Sequence, residues 1–221
     1  MLDIATHDTA AQFAWLWHIY LWLTVGVGVI VAAFVLFAAI RFRRRSDAWP
    51  RQTHSAPRLE AVYVVVIALI VIGLLIATFH VENQVDALAS PPALRIRVTG
   101  SQWAWQFSYP NGYTNTGTDI ASGHPRYAIL VVPAGEPVEF DVRSHDVLHS
   151  FFIPAMRFKR YAFPNFTNRF VLTFPHPGRM LGQCAQFCGW DHAEMRFWVR
   201  ILPAPAFRTW LSAHAARIAP G

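Results

Sequence analysis

The sequence predicts a two-helix membrane hairpin followed by an all-β domain, on three observations. Two long apolar stretches without charged side chains lie near the N-terminus. An arginine-rich segment separates them. Beyond residue 86 the chain turns to short β-rich runs punctuated by glycine, proline and asparagine, the pattern of a sandwich or barrel.

Composition points the same way. Of 221 residues, 54% are hydrophobic and only 14% are charged. A soluble domain carries roughly 25% charged residues, so an ordinary cytosolic enzyme is not expected. Aromatics at 14% exclude a disordered chain. The net charge is +6, yet Lys159 is the sole lysine and no basic block is interleaved with stacking aromatics. Nucleic acid is therefore not an expected partner.

The first stretch, Trp15 to Ile40, contains no Asp, Glu, Lys or Arg and exceeds the ~20 residues needed to cross a bilayer as a helix. A cleaved signal peptide fits poorly, because Asp3 and Asp8 precede the run and no basic residue does. Trp15, Trp17, Tyr20 and Trp22 suit an interfacial aromatic belt at the outer end of this helix. The second stretch runs from Ala61 to Phe79. Between them stand Arg41, Arg43, Arg44, Arg45, Arg51 and Arg58 against Asp47 alone. Short arginine-rich loops stay in the cytoplasm, which puts both termini and the β-domain outside, in a bacterial periplasm. Glu60 falls at the inner lip of the second helix, where an ion pair with Arg58 is its plain structural reading.

The expected division is a hairpin over 1–85, with helices at about 15–40 and 61–79, and an outer domain over 86–221. Pro91-Pro92 closes a linker between them. Strands are expected at Ala93–Thr99, Gln102–Tyr109, Arg126–Val132, Pro137–Ser144, Ser150–Ile153, Asn168–Thr173 and Arg196–Leu202, antiparallel throughout, with a weakly helical tail over Ala204–Ala216.

Chemistry concentrates in Gly182-Gln-Cys-Ala-Gln-Phe-Cys-Gly-Trp-Asp-His-Ala-Glu-Met195, which spaces Cys184, Cys188, His192 and Met195 as C-x3-C-x3-H-x2-M. Upstream, His149 lies in Asp146-Val-Leu-His-Ser150. Thiolate, imidazole and thioether are soft ligands that select copper over magnesium, calcium or manganese. One Cys with two His and a Met would make a mononuclear copper site, whereas two cysteines allow both thiolates to bridge a copper pair. A disulfide and a Cys2His2 zinc site remain open, though neither uses Met195.

These motifs resemble subunit II of the haem–copper cytochrome c oxidases. The likeness spans nearly the whole chain. It rests on the hairpin, Gly100-Ser-Gln-Trp-Ala-Trp-Gln-Phe107, Asp146-Val-Leu-His-Ser150, Phe152-Ile-Pro154 and the cysteine segment. The resemblance implies a cupredoxin-like Greek-key β-barrel carrying a binuclear copper (CuA) centre. Cys184 and Cys188 would bridge both coppers. His149 and Met195 would complete one metal, and His192 with the backbone carbonyl of Gln186 the other. Trp103 would be where electrons arrive. Glu60 would mark the mouth of a proton pathway serving the partner subunit. No catalytic residue is expected in this chain itself.

The chain also departs from the family pattern. Gln186 replaces the usual glutamate that binds magnesium at the border with subunit I, and a neutral amide is a poorer magnesium ligand. Tyr161, Asn165 and Ala104 replace an acid, a glycine and an aromatic. The implied function is electron acceptance from a periplasmic donor and delivery to haem in subunit I, for oxygen reduction coupled to proton translocation. The expected partners are subunit I, subunit III, the inner-membrane lipid and a donor that is a cytochrome c or small copper protein. That donor should not be strongly basic, because 13 basic and 8 acidic side chains leave the outer domain at +5. A nitric-oxide reductase with a borrowed CuA subunit would look nearly identical. A copper-free quinol-oxidase subunit or a thioredoxin-like copper chaperone fits the ligand set or the strand order less well.

Overall fold

The computed structural model describes residues 9–43, 55–86, 94–117 and 126–215. The chain divides into two compact units, Gln12–Glu82 and, in the main, Asn83–Gly221. In the first unit, α1 (Thr9–Arg41) and α2 (Pro57–Asp86) are both longer than the apolar stretches that predicted them. Nothing flanking the stretches breaks a helix, so the hydrogen-bonded backbone propagates past the apolar core. α2 also runs through the expected boundary at residue 85. Pro57 suits its start, since a first-turn residue has no intrahelical partner for an N–H.

Both helices are long and apolar enough to cross a membrane, with mean hydropathies of 2.7 and 3.0. Their leucines, valines and isoleucines are mostly exposed, as expected where lipid is the solvent. Tyr20 and Thr78 hydrogen-bond across the pair at 3.0 Å, while Thr78 also donates to the Leu74 carbonyl. Arg44, Arg45, Asp47, Arg51 and the Pro91-Pro92 linker lie outside the described residues.

The second unit is a β-sandwich closed by a C-terminal helix. Its strands are β1 (Arg95–Ser101), β2 (Ala104–Ser108), β3 (Thr114–Thr116), β4 (Ala128–Pro133), β5 (Pro137–Ser144), β6 (His149–Ile153), β7 (Phe158–Ala162), β8 (Asn168–Thr173), β9 (Gly178–Cys184) and β10 (Arg196–Leu202). They form two five-stranded sheets, β3-β2-β1-β5-β8 and β4-β10-β9-β6-β7. The expectation of antiparallel pairing throughout is corrected, because β1 pairs with β5, and β4 with β10, in parallel. Such pairs join segments far apart in sequence, so no local turn signal announces them.

Three strands, β3, β7 and β9, carried no recognisable signal. β9 hides because two glycines interrupt its pattern. One of them, Gly182, is glycine because a Cβ there would sit 2.0 Å from the Phe197 ring of neighbouring β10. β2 starts later than expected, at Ala104, because Gln102 and Trp103 form the tip of the β1–β2 hairpin.

Along β10 the residues alternate, with Phe197, Val199 and Ile201 turned inward. Rings from both sheets interdigitate in the core: Phe151 stacks on Phe197 at 4.9 Å, Trp105 meets Phe197 edge-on at 5.6 Å, and Phe158 lies 4.6 Å from Phe170. Each such buried side chain contributes roughly 1.5–3 kcal/mol of transfer free energy. The tail forms α3 (Ala204–Ala215). It is held by buried Phe207, by Trp210 against Tyr109 and Tyr113, and by a 2.7 Å bond from the Asn111 amide to the Leu211 carbonyl.

Candidate metal centre

β6 and β9 are adjacent strands, and their register places Phe151 opposite Cys184. That pairing brings His149, at the start of β6, beside Cys184, at the end of β9. The chain then loops through Cys188, turns at His192–Glu194 and enters β10 after Met195. Backbone bonds close the base of this loop, from Cys184 N–H to the Met195 carbonyl at 2.9 Å and from Ala185 N–H to the Ser150 carbonyl at 3.0 Å. The Trp105 indole donates to the same Met195 carbonyl at 3.4 Å, and its ring meets His149 edge-on. The aromatic core is thus the floor of the site.

The two free cysteine sulfurs face each other at 3.8 Å, too far for a disulfide bond. His149 Nδ1 lies 3.9 Å from Cys184 Sγ, and His192 Nδ1 lies 3.4 Å from Cys188 Sγ. Met195 Sδ is 3.8 Å from Cys188 Sγ, and the Gln186 carbonyl oxygen is 3.2 Å from Cys184 Sγ. His149, Cys184 and Cys188 form a group whose ligand atoms all lie within 4.8 Å of one another. His192 joins from the Cys188 side alone. Each sulfur therefore has its own imidazole neighbour.

Asp146 orients His149. A carboxylate can only accept, so the 2.8 Å contact with Asp146 Oδ1 puts a proton on His149 Nε2 and turns Nδ1 toward Cys184. Burial alone would raise the Asp146 carboxyl. Hydrogen bonds from the Gln102 and Val147 N–H groups and from His149 outweigh it and hold the carboxyl below its ordinary value. Burial likewise opposes ionisation of Cys184, yet His149 and the backbone at Gln186 and Ser150 bring that thiol down. Burial and the neighbouring Cys184 push Cys188 up to about 12. Cys184 is therefore the first of the pair to lose its proton. A soft cation between the sulfurs would release both protons.

The hairpin tip that shortened β2 reaches into the same site. The Trp103 indole and the Gln102 side-chain amide both donate to the Cys188 carbonyl, at 3.1 and 2.7 Å. The Gln102 N–H donates to Asp146 Oδ2 at 2.7 Å. Gly189, at φ +119°, lets the Trp103 ring approach, since a Cβ there would lie 3.0 Å from the indole. Neither Asp146 nor Gln102 has a role that the sequence alone makes legible. The spacing of Asp146 three residues before His149 was the available signal. Phe187 and Trp190 project from the cysteine loop, 77% and 93% exposed. Glu60 stands elsewhere, on the first turn of α2, where its carboxylate accepts the Ala56 N–H at 3.0 Å. It caps that helix, and the described contacts do not pair it with Arg58.

The family model for the cytochrome c oxidase subunit II periplasmic domain matches residues 94–202. Residues 94–202 thus form a cytochrome c oxidase subunit II periplasmic domain. Cytochrome c oxidase subunit 2 of Alkalihalophilus pseudofirmus is 30% identical over 199 residues, an alignment covering 88% of this chain and 55% of that protein. The chain thus spans little more than half the length of that relative. The Cereibacter sphaeroides subunit 2 is 28% identical, with 91% of this chain and 76% of the relative aligned.

Among solved structures, the periplasmic domain of subunit II (CoxB) of Bradyrhizobium japonicum superposes with a TM-score of 0.52 at 29% identity, covering 58% of this chain and 97% of that one. Another, at TM-score 0.50, 28% identity and coverages of 61% and 97%, is a mixed disulfide intermediate between a thioredoxin-like protein and subunit II of cytochrome c oxidase. The fold is therefore two apolar N-terminal helices followed in the chain by a cupredoxin-like subunit II domain. The match of that domain and the His/Cys/Cys cluster together point to copper.

Proposed function

We propose that this chain accepts electrons from a soluble donor outside the membrane and delivers them to haem in subunit I of a cytochrome c oxidase. The observation that carries this reading is the pair of facing sulfurs, each with its own imidazole. Cys184 and Cys188 would bridge two ions, with His149 and Met195 completing one and His192 with the Gln186 carbonyl the other. Copper held by these residues would supply a one-electron redox site.

The residues of this chain do the rest. Asp146 fixes the His149 tautomer. Trp105 and Phe151 set a rigid, dry floor. Trp103, bonded to the carbonyl of a cysteine, offers a short covalent and hydrogen-bonded route from the surface. Exposed Phe187 and Trp190 beside it favour apolar docking. The +5 charge of the outer domain disfavours a strongly basic donor. Gln186 weakens any magnesium site at the subunit border. The arginines between the helices support a cytoplasmic turn with the β-unit in the periplasm. Glu60, as a helix cap near that turn, would stand at a proton-pathway mouth only in the assembled complex. Before metal loading both thiols must be reduced, and a dithiol protein of the kind trapped with the relative would suit that step.

The test is a copper count and an electron paramagnetic resonance spectrum of the purified chain. Two coppers per chain, with one spin shared equally between them, is the expected result. One copper, or zinc in its place, would refute the reading. Labelling in intact cells checks the topology, and modification of the helix-connecting turn from outside would reverse it.

A further inference from the structure

At the end of β9 farthest from Cys184, Arg179 stands directly opposite Arg200 of β10. Inward-facing Val199 and Ile201 flank Arg200, so the arginine pair lies on the outward face of the sheet. Like charges directly opposite on adjacent strands are destabilising. No carboxylate of the described residues lies within ion-pair distance of either. The acids that precede β5 and β10, Glu136 and Glu194, are engaged by Arg208 and Arg196. The Arg179 guanidinium carbon sits 3.8 Å from the centroid of the Trp198 ring, which holds the side chain in place. Both arginines line an open cavity of about 370 Å³, with Ile129, Gly178, Ile201 and Leu202 as its other walls.

We infer that this cavity binds a phosphate group. Two arginines lining one cavity can together offer more donors than a single fork, which matches an anion with several oxygens arranged in three dimensions. A carboxylate would occupy a single fork. Stacking on Trp198 orders Arg179 beforehand, so less side-chain freedom is lost on binding. An anion between the two arginines also relieves their repulsion, which nothing within the described chain does. The walls of Ile129 and Leu202 leave room for apolar substituents on the phosphate. The group is either the headgroup of a phospholipid or a free phosphate.

The experiment titrates the full chain in detergent with inorganic phosphate and, separately, with short-chain phosphatidic acid. At least one probe should bind saturably, and the double variant Arg179→Gln/Arg200→Gln should weaken it tenfold or more. Arg169→Gln, on the other sheet, should change nothing. Saturable binding of phosphatidic acid alone assigns the site to a lipid headgroup, and of inorganic phosphate alone to a soluble source. Arg179→Lys/Arg200→Lys keeps the charge without the forks and should bind several-fold more weakly than wild type. Absence of saturable binding by either probe, an unaffected glutamine variant, or a lysine variant equal to wild type would each overturn the inference.

Discussion

The helical unit and the β-unit put their apolar side chains in opposite places. On α1 and α2 residues such as Val29, Phe34, Leu59 and Leu69 are more than half exposed, while in the sandwich Trp105, Phe151, Phe170 and Phe197 have no exposure at all. The same hydrophobic effect acts on both, with lipid as the solvent of one and water of the other. The difference teaches where geometric accuracy resides. A helix pair in lipid gains little from burying apolar surface between its members, and among the described residues a hydrogen bond between Tyr20 and Thr78 joins the two helices. The sandwich is a jigsaw of rings, and the candidate metal centre is built directly upon it.

Breaking the centre while leaving both units folded should have the largest effect. Cys184→Ser or Cys188→Ser should abolish the two-copper spectrum entirely while leaving circular dichroism and membrane insertion unchanged. Retention of the shared-spin signal in either variant would mean that the sulfurs do not bridge. Next is the core beneath the site. Phe197→Ala removes a ring that contacts Trp105, Phe107 and Phe151, and should cost about 3–5 kcal/mol in denaturant unfolding of the β-unit. Helix content of the hairpin should persist through that transition.

A smaller effect is expected at Asp146. Asp146→Asn frees His149 to adopt the other tautomer and should lower copper affinity about 10–100-fold with the stoichiometry kept. An unchanged affinity by competition with a chelator would show that the core alone orients the imidazole. The smallest belongs to the membrane unit, where Thr78→Val should weaken helix pairing in micelles by only about 0.6 kcal/mol. A cost several times larger would mean that the hairpin also depends on specific geometry.

The long apolar helices and the cluster of soft side chains were legible because each is written in a short window. An uncharged stretch announces a span, and C-x3-C-x3-H-x2-M announces soft ligands within one loop. Glu60 was legible as a residue, yet its bond to the Ala56 N–H, in place of a pair with Arg58, depends on where α2 begins. β9 was illegible because Gly182 makes sense only once the Phe197 ring is seen filling the space of its missing side chain. The parallel β1–β5 and β4–β10 pairs leave no local trace.

The sequence by itself determined the class of the chain, its two apolar helices, its β-rich domain and the candidate ligands of its cysteine loop, because all of these follow from composition, periodicity and close spacing. Only the tertiary structure decided that His149 meets Cys184 across neighbouring strands, that Gln102 ties the Cys188 carbonyl to Asp146, and that Arg179 faces Arg200. Each of those contacts joins residues between 21 and 86 positions apart. Such contacts form through strand order and register, which the packing of the whole core selects and no single segment encodes.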